Sequence, residues 1–65
     1  MNKKELKTIA KKIAKQEYII QTHEEGSDEV IAAQNEIMRL TSSLRNIEDL
    51  LAAEELIADY LVDMS

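Results

Sequence analysis

Apolar residues at Leu6, Ile9, Ile13 and Ile20, with Ala10 and Ala14 beside them, recur at steps of three and four, and strand alternation fits nowhere in this stretch. Such steps return to one side of a 3.6-residue turn, so the spacing predicts one amphipathic helix over about residues 3–24. In heptad terms Leu6, Ile13 and Ile20 take one core position and Ile9, Gln16 and His23 the other. Lys4, Lys7, Lys11 and Lys15 then fall on the far, solvated side. Gly26 supplies a residue able to take positive φ beyond a helix end, and Ser27 followed by Asp28 and Glu29 reads as an N-cap with acids in the first turn.

A second heptad starts there, with Val30, Ile37, Leu44 and Leu51 at one core position and Ala33, Leu40 and Ile47 at the next. Three heptads in phase predict a helix–helix seam and a second helix over about residues 28–63. Thr41, Ser42 and Ser43 are weak helix formers, and Asn46 ahead of Glu48 and Asp49 has the makings of a fresh cap, so a break near residues 41–46 is the alternative. Neither Gly nor Pro marks it, and the seam stays in phase across it.

The two helices differ in length, at ~33 Å against ~54 Å for a rise of ~1.5 Å per residue. The fold expected is therefore all-α: an antiparallel helical hairpin in a single domain, 1–65, with a coiled-coil-like seam in which Ile13 meets Leu40 and Leu6 meets Ile47. The last four turns overhang. Leu50, Leu51, Leu56, Ile57, Tyr60, Leu61, Val62 and Met64 are left without cover in their own chain, a larger apolar surface than a soluble monomer normally tolerates. Either the C-terminal segment folds back as a third helix or a second chain covers it.

Composition sharpens this. At 65 residues the chain is too short for one core to supply more than ~3–5 kcal/mol, and with no Cys and one His neither a disulfide nor a thiolate metal site makes up the difference. Oligomerisation is the support left, as a dimer or tetramer of the chain itself. The net charge of −5 is unevenly placed: residues 1–15 hold six Lys and one Glu, and residues 16–65 hold two Arg and twelve acids. Glu54 falls at a core heptad position, where a carboxylate is costly unless a cation meets it, and the lysines of another chain are the natural source. Apolar runs are only a few residues long, and Met1 to Glu5 is not followed by an apolar signal region. The expectation is a cytoplasmic protein, or one exported without a cleaved signal.

Candidate chemistry is sparse. His23 with Glu24 and Glu25 is the one place where a ring nitrogen and carboxylates cluster, but neighbouring helical residues point apart and no second His exists. The residue reads as a polar helix end. Ser27, Ser42, Ser43 and Ser65 have no second His and no Cys to activate them. No catalytic, cofactor-binding or metal site is expected, and the chain is not read as an enzyme.

The lysine face of Lys4, Lys7, Lys11 and Lys15 is able to track phosphates, and the expected hairpin resembles the Rop-type plasmid copy-number regulators, which implies RNA binding by a four-helix dimer. Gln34-Asn35-Glu36-Ile37-Met38 looks like the Ser-Gln-Glu-Leu-Asp window of the sporulation-type aspartyl-phosphate phosphatases, agreeing at Glu36 and in the aliphatic Ile37. The run Gly26, Gln34, Glu36, Leu40, Ser42 and Leu44 also resembles the second helix of the small co-chaperones of type III secretion needle subunits.

The leading reading is a non-catalytic protein-interaction module, an adaptor, co-chaperone or inhibitor, that self-associates through its heptad-patterned helices. Its expected interface is Leu50, Leu51, Glu54, Ile57, Tyr60, Leu61 and Met64. A second protein is its expected partner in preference to nucleic acid, and no membrane contact is expected. The alternative is the Rop-like nucleic-acid binder, with the phosphatase-like hairpin behind it.

Overall fold

The computed structural model describes residues 2–64 and is all-helical, with no strand among them. Its three helices are α1 (Lys3–Thr22), α2 (Asp28–Thr41) and α3 (Ile47–Met64). Each start is set by a side chain that accepts from an otherwise unpaired N–H of the first turn. Glu5 N–H donates to Asn2 Oδ1 (2.8 Å), Val30 N–H to Ser27 Oγ (3.3 Å) and Glu48 N–H to Asn46 Oδ1 (3.0 Å).

The ends are equally local. α1 stops two residues before the expected end: His23 is extended at φ −112°, and its N–H donates to the Ile19 carbonyl at 3.0 Å. Gly26 has φ +81°, and the Ser27 N–H to Glu24 carbonyl bond (3.1 Å) closes a turn around it that L side chains rarely permit.

The single long second helix is corrected by the structure. It breaks at residues 42–46, where hydroxyls take over the role that Gly or Pro usually plays. Thr41 Oγ1 donates to the Ile37 carbonyl (2.9 Å), Ser42 Oγ to that of Arg39 (2.6 Å) and Ser43 Oγ to that of Leu40 (2.6 Å). The last carbonyls of α2 are thereby satisfied without another helical turn. Asn46 then opens α3.

α1 packs against both other helices, whereas α2 and α3 share at most a marginal contact. Ile19 of α1 and His23 just past its end line one groove with Glu29, Ala32 and Ala33 of α2, and Leu6 and Lys7 of α1 line another with Ala52 and Leu56 of α3. The core is built on small residues: Ala10 and Ala14 of α1, Ala33 of α2 and Ala53 of α3 are buried, and among the described residues Ile13 is the one large side chain below 2% exposure. Leu6, Ile13, Leu44 and Ala53 form its centre, with Ile9, Ile37, Leu40, Leu50, Leu56 and Ile57 packed against them. So thin a core leaves much of the apolar side-chain surface outside it.

The break also resets the register of the third helix. Ile47, expected against Leu6, is exposed, and Leu44 joins Leu6 in the core instead. Leu51 is likewise exposed, and Glu54, expected at a core position, lies at the surface because Ala53 takes the buried place.

Candidate interaction surface

On a helix of 100° per residue, Leu50, Ala53, Leu56 and Ile57 fall on one part of a wide apolar arc of α3, and Ile47, Leu51, Ala58 and Val62 continue that arc on its far flank. The inner side packs against the core. The outer side does not: Ile47 is 70% exposed, Leu51 56% and Val62 74%. The apolar arc of α3 is therefore wider than the part of it that the core covers.

The residues expected to form the interface are therefore divided between these sides. Leu50 and Ile57 are half-buried against the core. Tyr60, Leu61 and Met64 are also half-buried, Met64 in a groove with Thr8, Lys11, Lys12 and Lys15 of α1. Leu51 and Glu54 remain on the outer side, exposed. Val62, expected among the uncovered residues, is exposed, and Ile47 was missed because the heptad assigns it to the seam. The available signal was Asn46: a cap there restarts the helix and turns Ile47 outward.

Charge follows the same division. Residues 47–64 contain Glu48, Asp49, Glu54, Glu55, Asp59 and Asp63 and no cation. Lys3 and Lys7 of α1 line one groove with Glu55 and Asp59 of α3, so the basic helix and the acidic helix lie together within one chain. One long second helix would leave Glu55 and Asp59 in its overhang, beyond the lysines of residues 3–15, and the fold back at residues 42–46 removes that separation. Lys4, Lys7, Lys11 and Lys15 are all exposed.

His23 sits at the end of α1 with Nδ1 2.9 Å from the Ile19 carbonyl and 3.3 Å from Thr22 Oγ1. A carbonyl only accepts, so Nδ1 carries the proton of that contact. Among the described residues no group of three or more His, Asp or Glu side chains is arranged to hold a metal ion, and no helix is long and apolar enough to cross a membrane. Ser65 lies outside the described residues. No family model, curated protein or solved structure matches the chain.

Proposed function

We propose that the chain is a non-catalytic protein-interaction module, an adaptor, co-chaperone or inhibitor in kind, that self-associates and works through α3. The observation that carries this reading is the outer flank of the apolar arc, Ile47, Leu51 and Val62, exposed on a helix whose inner flank already packs on the core. A core whose buried residues are half alanine leaves a domain of this size in need of support, and burying that outer flank supplies it. The acids beside the flank select what is allowed to cover it, since charge sets orientation and partner choice more than affinity. Light scattering or sedimentation tests the reading: the expected particle is a dimer or tetramer of the 7.4 kDa chain, reduced to a monomer by Leu51→Asp. A wild-type chain that stays monomeric at millimolar concentration removes the self-association.

A second reading is favoured by the outer side of α1, where Lys4, Lys11 and Lys15 lie in one exposed stripe. It makes the chain a helical nucleic-acid binder. RNA or DNA retained at low salt and released as salt rises is its expected signature, and no retention at low salt removes it.

A further inference from the structure

The heptad that begins at Val30 fills a buried or half-buried place at each step up to the break. Val30, Ala33 and Leu44 are buried, and Ile37 and Leu40 are half-buried. It fails at its next two members, Ile47 and Leu51, which are in phase in the sequence and exposed in the structure. An unbroken helix would bring both back onto the seam line. The segment between α2 and α3 opposes this only through the hydroxyl bonds of residues 41–43 and the Asn46 cap. It contains neither Gly nor Pro, Ser42 already has helical angles (φ −63°, ψ −20°), and Gly26 is the one residue with positive φ among those described.

α3 is also held in a way that lets it leave. Its contacts are with α1, with at most a marginal one to α2, so its departure exposes α1 and leaves the α1–α2 contact in place. What it leaves behind is an apolar surface around Leu6 flanked by Lys3 and Lys7, and what it carries is an apolar face flanked by Glu55 and Asp59. The only other cations outside residues 3–15 are Arg39 and Arg45. The surface on this molecule that complements α3 in both shape and charge is therefore α1, its own or that of another copy.

We infer that a second copy of this chain takes the place of α3 on α1: residues 42–46 straighten, α2 and α3 join into one helix, and each α3 lies across the other copy's α1. This rests on the self-association proposed above and specifies its form. Exchange of an identical element is a low-cost route to a dimer, because contacts made within one chain are remade between two. The gain over the closed chain comes from Ile47 and Leu51, which return to the seam, and from residues 42–46, whose backbone groups enter a continuous helical ladder.

The test changes the connecting segment and reads particle mass. A flexible Gly-Ser insertion between Ser43 and Leu44 lets α3 return to its own α1 but cannot continue a helix. Replacing Ser42, Ser43 and Asn46 together by Ala removes the hydroxyl stops and the cap and favours the straight form. Exchange predicts a dimeric wild type, a monomeric insertion variant with its far-ultraviolet helical signal retained, and a dimer fraction in the alanine variant at least as large as in the wild type. An insertion variant that stays dimeric overturns the exchange while leaving surface association through Leu51 standing. A wild type that is monomeric at millimolar concentration overturns both.

Discussion

Lys7 on α1 and Glu55 on α3 line the same groove, although they stand in the basic and acidic ends of the sequence. The basic and acidic ends of the chain thus meet in one groove between α1 and α3. Both side chains are exposed, so the attraction is screened and contributes at most ~1 kcal/mol. Lys7→Glu is expected to lower the thermal midpoint slightly at low ionic strength. The difference from wild type should shrink in high salt, and one that grows with salt would show that charge does not orient α3.

Ile13 is, among the described residues, the one large side chain almost fully removed from water. Truncation of such a residue to Ala typically costs about 2–5 kcal/mol, which is most of what a domain of this size possesses. Ile13→Ala should therefore unfold much of the protein at room temperature. Met38→Ala, at a position 69% exposed, should change the denaturation midpoint by less than ~0.5 kcal/mol equivalent. Similar midpoints for the two variants would place the core elsewhere.

At Gly26 the backbone decides the outcome and space does not. A Cβ there would meet nothing within 4 Å, yet φ is +81°. Gly26→Ala should cost about 1–2 kcal/mol through the left-handed conformation alone. Asn tolerates that region better than Ala, so Gly26→Asn should be the milder of the two in chemical denaturation. The reverse order would show that the turn rearranges.

Asn46 should be worth about 0.5–2 kcal/mol to α3 as its cap. In a chain held monomeric by dilution, Asn46→Ala is expected to raise amide exchange in the first turn of α3 while leaving α2 protected. Equal protection in wild type and variant would mean that packing on α1, and not the cap, starts this helix.

The inner and outer flanks of the apolar arc of α3 are separable by experiment. Ile57 packs against the core, so Ile57→Asp buries a charge and should destabilise the fold by ~2 kcal/mol or more. Leu51→Asp lies on the outer side and should leave helicity and unfolding of the diluted chain unchanged while lowering particle mass at high concentration. Loss of the fold in Leu51→Asp, measured by circular dichroism, would contradict the division of α3 into inner and outer faces.

Features that depend on a few neighbouring residues were legible before the fold was known. The amphipathic spacing of Leu6, Ile9 and Ile13 made α1, Ser27 capped α2, and Gly26 made the turn, because helix steps, caps and positive φ are satisfied within a span of three or four residues. Ala33, Leu40 and Leu44 were likewise recognisable as inward-facing from their period. The tertiary structure decided the fate of residues 42–64. Between a continuous helix and a capped restart at Asn46 the local free energies are close: propensity differences amount to a few tenths of a kcal/mol per residue and a cap to about one. The balance falls to contacts distant in sequence, the seating of Ala53, Leu56 and Ile57 on α1 with Glu55 and Asp59 beside Lys3 and Lys7. Periodicity cannot rank those contacts, because it specifies which side of a helix is apolar and not which surface that side will meet.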